Sequence, residues 1–152
     1  MIVIGGGTEG TRKVKSLLGQ NCKILVVTNR LNKFLREQAE EGKIDVVKTT
    51  LKDSSKLEMF EKPYLVLACT NDRLLNMKLV QKAKNSGAVA YAVDDPEVSD
   101  FSSVAITNIH DMMFVGISTK GKSPLMARIF RKRIERALKR LIQKQFASEI
   151  RD

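Results

Sequence analysis

The sequence predicts an α/β fold, a parallel sheet covered by helices on both faces, followed by a smaller region with a β pair and a basic C-terminal helical segment. Three observations carry that prediction. Short apolar runs alternate with helix-forming stretches from Met1 to about Val93. The runs are continuously apolar, as strands covered on both faces are. After Pro96 the alternation stops, and two strand-like runs follow one another with no helical pattern between them.

Each element is justified by its residues. Met1 to Ile4 is an apolar run that meets Gly5-Gly6-Gly7, and Val14, Leu17 and Leu18 then recur at helical spacing, giving strand, turn and helix. Cys22 to Val27 is a second strand, ending at Thr28-Asn29-Arg30, and Leu31 to Glu41 has helix-forming composition. Ile44 to Val47 is a third strand and Asp53 to Phe60 a short helix. Tyr64 to Cys69 is a fourth strand; after Thr70-Asn71-Asp72 a helix runs through Leu75, Leu79 and Val80 to Ser86-Gly87, and Ala88 to Val93 is the fifth strand. Val104 to Asn108 and Met113 to Ser118 suit an antiparallel pair. Ser123 is placed to cap a final helix or helix pair with Pro124 at its first position, and Leu125, Ile129, Ile134, Leu138, Leu141 and Ile142 continue its apolar face. These elements divide the chain into an α/β domain over 1–96 and a second region over 97–152.

Composition narrows the function classes. Hydrophobic residues make up 43% of the 152 and charged residues 29%, as in globular proteins. No apolar run approaches the ~20 residues that cross a bilayer, and the N-terminus enters a strand directly, so a cytoplasmic protein without a membrane partner is expected. The two cysteines, Cys22 and Cys69, lie in apolar strand-like runs and read as buried free thiols. With a single histidine, His110, and no cysteine cluster, no protein-held metal is expected. The formal net charge is +10, and Lys120 to Lys144 holds ten basic residues against one acidic, Glu135. That field suits an anionic partner, such as nucleic acid, a membrane surface or a small polycarboxylate; a solvated helix face accounts for it equally well.

The motifs gather at strand ends. Gly5, Gly7 and Gly10 satisfy G-x-G-x-x-G between a predicted strand and helix, the Rossmann-type setting. There the first glycine permits a tight turn, the second lets backbone approach a pyrophosphate, and the third brings helix and strand together. Free N–H groups at the helix start face the anion; a turn with no ligand is the plainer reading. About 20 residues on, where an acidic residue usually accepts ribose hydroxyls, stand Thr28-Asn29-Arg30. Asn29 can bond a hydroxyl and Arg30 favours a 2′-phosphate, so NAD and NADP both stay open, as does an ordinary polar loop. Thr70, Asn71 and Asp72, with Asn76, would line the cofactor crevice, and the same residues cap helices well. Asp94-Asp95-Pro96 ends the fifth strand on that edge. A carboxylate pair there can supply a general base, one member raised by its neighbour's charge, although an Asp-Asp-Pro sequence is commonly just a turn.

Taken together, four segments resemble precorrin-2 dehydrogenase, the N-terminal module of siroheme synthase. They are Gly5-Gly6-Gly7 with Arg12-Lys13; Ala68-Cys69-Thr70-Asn71-Asp72 with Asn76; Val93-Asp94-Asp95-Pro96 with Asp100-Phe101; and Ile117 to Pro124 with Ala127-Arg128. The resemblance implies NAD-dependent oxidation of precorrin-2 to sirohydrochlorin, with ferrous iron insertion in some members, and a homodimer whose contacts lie beyond the Rossmann unit. It implies Asp94 as general base, cofactor contacts at Thr8, Glu9, Asn29 and Arg30 beside the glycine turn, and Ser123 near the site. Precorrin-2 carries many carboxylates, which would give the basic charge a cause: Lys120, Lys122, Arg128 and Arg131 are the residues expected to attract it.

Two other readings compete. A regulatory NAD-binding domain of a potassium transporter, a module without catalysis, shares the glycine turn and the Thr-Asn-Asp motif. It normally keeps an acidic residue after the second strand and has no counterpart of Ser118 to Pro124. A nucleic-acid-binding protein would use the basic helix, but aromatic residues are only 5% of the chain and no stacking platform is legible, so no nucleic acid is expected.

Overall fold

The computed structural model describes residues 1–102, 104–110 and 113–149, with side chains as far as 143 in the last helix. Ser103, Asp111, Met112 and residues 150–152 of the expected second region, and the Lys144 side chain of the basic stretch, lie outside the described residues. The chain divides into two compact units, Met1–Phe101 and Ser102–Asp152.

The first unit runs β1 (Ile2–Ile4), α1 (Thr8–Leu17), β2 (Leu25–Thr28), α2 (Lys33–Glu40), β3 (Asp45–Lys48), a 3-10 turn (Ser55–Met59), β4 (Leu65–Ala68), α3 (Arg73–Asn85) and β5 (Val89–Ala92). All five strands are parallel, in the order β3-β2-β1-β4-β5, with Ile2 opposite both Leu25 and Val66. Successive side chains point to opposite faces. Ile2, Ile4, Val66 and Ala68 therefore meet Leu75, Leu79 and Ala83 of α3 on one face. Val3, Val26 and Leu67 meet Val14 of α1 and Leu35 of α2 on the other. Both faces being covered explains why these strands read as continuous apolar runs. The helices start where capping residues stand: Asn32 Oδ1 accepts the Leu35 N–H at 2.9 Å and Asp72 Oδ1 the Leu75 N–H at 3.0 Å.

The outer edge of β5 is closed by the residues that follow it. Asp100 donates its N–H to the Ala90 carbonyl at 2.9 Å, and its carboxylate accepts the Ala90 N–H at 2.8 Å. Ser99 Oγ accepts the Ala92 N–H at 2.9 Å, and Phe101 stacks on Tyr91 with ring centroids 5.1 Å apart. Blocking an edge strand in this way removes a template for pairing with other chains. It also places residues 97–101 with the first unit.

The second unit holds β6 (Ala105–Ile109) and β7 (Met113–Ile117), an antiparallel pair with Ala105 opposite Ile117, and one 26-residue helix, α4 (Pro124–Glu149), packed on both strands. Ser123 Oγ accepts the Met126 N–H at 3.3 Å, so the helix begins at its expected cap with Pro124 first. Ile109, Thr107 and Ala127 are buried, while Ile106 and Phe114 lie on the ribbon's exposed face. Among the described residues, no helix is long and apolar enough to cross a membrane.

Candidate functional site

In an open α/β sheet, ligands bind beyond the carboxyl ends of the strands where the strand order reverses, here between β1 and β4. A cleft of about 760 Å³ opens at that place. The glycine turn lines it, and the glycines differ in what surrounds them. Gly5 has φ +105, and a Cβ on it would collide with the Cys69 carbonyl at the end of β4. A Cβ on Gly10 would collide with the Gly5 carbonyl, so the helix and the turn sit as close as glycine alone permits. A Cβ on Gly7 would meet nothing within 4 Å. The space beside Gly7 is therefore open to an incoming group, as the close-approach position of the fingerprint requires.

Gly7 is also the N-cap of α1, and as a glycine it offers no side-chain acceptor to the first-turn N–H groups. An uncapped helix start with its partial positive charge suits a phosphate. Thr28 holds this turn against the end of β2: its Oγ1 accepts the Gly6 N–H at 3.1 Å and donates to the Arg30 carbonyl at 3.0 Å.

Of the residues singled out from the sequence, Gly5, Gly6 and Gly7, Asn29 and Arg30, and Thr70, Asn71 and Asp72 line the cleft. Thr8 and Glu9 open α1 outside the lining, and Glu9 pairs with Arg12 at 2.5 Å. Gly10 is buried behind the turn. Asp72 spends its carboxylate on the α3 cap, so the cleft-side Thr70 hydroxyl rather than the Asp72 side chain organises that loop, accepting the Asp72 N–H at 3.2 Å. Sequence reasoning passed over Thr49, Thr50, Leu51 and Lys52, which line the cleft beyond β3. The signal was available, because the carboxyl-edge rule applies to β3 as it does to β2 and β4. Lys52 adds a second cation to the cleft lining, with Arg30.

Asp94 and Asp95 follow β5, and the structure separates them. Arg73 Nη2 donates to Asp95 Oδ2 at 3.0 Å, and that guanidinium holds the Asp95 carboxyl below its usual range. Asp95 is thereby committed to Arg73, which sets it apart from Asp94. Asp94 instead takes a neutral partner, with Asn76 Nδ2 donating to its Oδ1 at 3.1 Å. Asn76 is fully buried and also bonds Thr70, so Asp94 is connected to the cleft through two residues.

Cys69 is buried beside the turn, and desolvation pushes its thiol up to about 12, which makes it inert at neutral pH. Both cysteines are free. In the second unit Lys120, Lys122 and Arg128 are exposed. Arg131 is partly buried and donates to Glu135 at 3.1 Å, with Lys139 on the other oxygen of the same carboxylate at 2.9 Å. Glu135 is held below its usual range by Lys139 and by Thr107. One acid thus absorbs part of the charge of two bases, while Lys120, Lys122 and Arg128 keep their exposed ends.

The family described as "Putative NAD(P)-binding" matches residues 1–105 of the chain, and the one described as "Sirohaem biosynthesis protein central" matches residues 115–137. Siroheme synthase of Nitrosococcus oceani is 31% identical over 134 residues, 88% of this chain and 28% of that protein. Siroheme synthase 1 of Aeromonas salmonicida is 32% identical over 138 residues, 91% of this chain and again 28% of that protein. The chain thus spans 28% of the length of these relatives. A solved structure of SirC, precorrin-2 dehydrogenase, superposes with a TM-score of 0.76 at 21% identity, covering 98% of this chain and 73% of that one, which establishes the shared fold.

Proposed function

The chain belongs to the NAD(P)-binding family matched over residues 1–105, and from that premise we propose that it is a precorrin-2 dehydrogenase, oxidising precorrin-2 to sirohydrochlorin with NAD. The observation that carries the reading is the cradle at the switch point: an open Gly7 at an uncapped helix start, with the Asp94 carboxylate anchored to the same strand edge through Asn76. The siroheme synthases similar to this chain, and the siroheme-biosynthesis match over 115–137, support the choice of substrate.

The residues fit a dinucleotide. The backbone of Gly6, Gly7 and the first turn of α1, including Thr8, Glu9 and Gly10, would hold the pyrophosphate. Asn29 and Arg30 would take the adenosine ribose, and Thr70, Asn71 and Asp72 would close the opposite wall. When bound, the dinucleotide supplies a two-electron acceptor. Asp94 would act as the general base, its carboxylate taking the proton lost from the tetrapyrrole carbon skeleton. Lys120, Lys122, Arg128 and Arg131 would attract the carboxylates of precorrin-2, with Ser123 at the head of the helix that carries Arg128 and Arg131. The region from 97 to 152 would also carry the contacts of a homodimer, and the exposed Ile106 and Phe114 on one face of the β ribbon suit such a contact.

Anaerobic incubation of the chain with NAD and precorrin-2, following NADH absorbance, tests the reading. Turnover is expected, and Asp94→Ala should abolish it, by on the order of a hundredfold or more, while dinucleotide binding persists. Absence of turnover in the unsubstituted chain would defeat the assignment and favour a regulatory NAD-binding module.

A further inference from the structure

Asn76 occupies the fourth position of α3, is fully buried, and uses the whole capacity of its amide. Its Oδ1 accepts the Thr70 N–H at 3.1 Å and the Thr70 hydroxyl at 2.7 Å; its Nδ2 donates to the Thr70 carbonyl at 3.1 Å and to Asp94 Oδ1 at 3.1 Å. An amide offers two acceptor and two donor sites, and all are taken. Three of the bonds suffice to hold the Thr70 turn. The fourth goes to an exposed carboxylate that water could have satisfied, so turn stability does not account for it.

We propose that Asn76 is a positioning residue for Asp94, orienting the carboxylate by a neutral hydrogen bond and tying it to the cofactor-side turn at Thr70. The inference rests on the assignment of Asp94 as general base. A neutral donor suits that task. A cation in the same place would favour the charged form and weaken the base, which is what Arg73 does to the adjacent Asp95. A leucine would leave the Thr70 groups without partners. An aspartate would keep the two bonds accepted from Thr70, lose the one donated to the Thr70 carbonyl, donate nothing to Asp94, and set a second negative charge against it. Asn76 therefore has two duties, the turn through its oxygen and one amide N–H, and the base through the other amide N–H.

The two duties give different variants. Asn76→Asp is expected to lower kcat about tenfold to a hundredfold, while its dinucleotide affinity, measured by calorimetry, falls far less than that of Asn76→Ala, because the two bonds accepted from Thr70 remain. Asn76→Ala should lower kcat and raise the dinucleotide KM together. In an Asp94→Ala background Asn76→Asp should cause no further loss of kcat, because on the chemical step the amide acts only through the missing carboxylate. Wild-type turnover by Asn76→Asp, or a loss that adds in full to that of Asp94→Ala, overturns the proposal.

A second measurement needs neither substrate nor a substitution inside the core. In ¹⁵N-labelled protein, the Asn76 side-chain amide proton that faces Asp94 should move upfield in Asp94→Ala. Unchanged Asn76 amide resonances overturn the proposal even if the unsubstituted chain fails to oxidise precorrin-2, an outcome that would by itself defeat only the substrate assignment.

Discussion

The buried Thr28 hydroxyl accepts the Gly6 backbone N–H at 3.1 Å, joining the end of β2 to the glycine turn that follows β1. The same oxygen accepts the Arg30 N–H at 3.3 Å and donates to the Arg30 carbonyl at 3.0 Å. One side chain thus sets the spacing between the phosphate-facing turn and the loop proposed to read the ribose. Thr28→Val preserves the shape and removes the hydroxyl. Leaving these backbone groups without their partner should cost about 1–3 kcal/mol and weaken dinucleotide binding, whereas Thr28→Ser should restore both. Thermal unfolding and a dinucleotide titration on the two variants read the outcome; equal melting temperatures for Thr28→Val and the parent would show that the hydroxyl is dispensable.

The glycines of the turn separate folding from binding. A methyl group on Gly10 must displace the Gly5 carbonyl, so Gly10→Ala should lose stability of the order of an overpacked core site, about 1–3 kcal/mol. A methyl group on Gly7 meets no protein atom within 4 Å, and its φ of −71 is ordinary for alanine. Gly7→Ala should therefore melt close to the parent and bind dinucleotide poorly. If Gly7→Ala binds normally, the open space beside it is not the ligand's path.

Much of this arrangement was legible in the sequence because it is local. Strand runs, the glycine fingerprint and capping residues such as Asp72 and Ser123 act within a few positions of themselves, so their chemistry is visible in the string. What escaped it was pairing across the chain. Nothing near Asp95 announces that Arg73, 22 positions earlier, will take its carboxylate and leave Asp94 to Asn76. The short helix expected from Asp53 to Phe60 shrank to a 3-10 turn over Ser55–Met59, with Asp53 accepting the Ser55 N–H at 2.8 Å ahead of it. An Asp side chain that binds nearby backbone competes with helix formation. The loop from Thr49 to Lys52 carries no motif, and its place in the cleft comes from sheet order alone.

Asp100 gives the fold a pH dependence of known sign. Its folded-state carboxyl is held below the ordinary 3.8, first by Lys84 and then by the Ala90 N–H. A group with a depressed folded pKa stabilises the protein above its unfolded value, and that contribution disappears as pH falls through the folded one. Asp100→Asn keeps an acceptor for Ala90 but loses the charge. Its melting temperature should lie below the parent's at neutral pH, with the gap starting to close near pH 3.8 and vanishing at more acidic values. Because Lys84 and Asp100 are both about one-third exposed, the gap should also narrow with added salt. A gap that is constant from neutral to strongly acidic pH would assign the effect to packing instead.

The basic helix offers the last test, because charge reversal there should touch the proposed substrate and spare the cofactor. Lys122 and Arg128 are exposed, whereas Arg131 shares Glu135 with Lys139. Exposed cations attract a polycarboxylate through a field that salt screens over a Debye length of about 8 Å at physiological ionic strength. Lys122→Glu with Arg128→Glu should therefore raise the KM for precorrin-2, with the effect largest in dilute buffer, while the dinucleotide Kd stays fixed because neither residue lines the cleft. Glu135→Gln should act in the opposite direction, releasing Arg131 and Lys139 from their shared carboxylate and lowering that KM. Steady-state kinetics at two salt concentrations separate these outcomes, and a precorrin-2 KM indifferent to all three substitutions would remove the basic helix from substrate recognition.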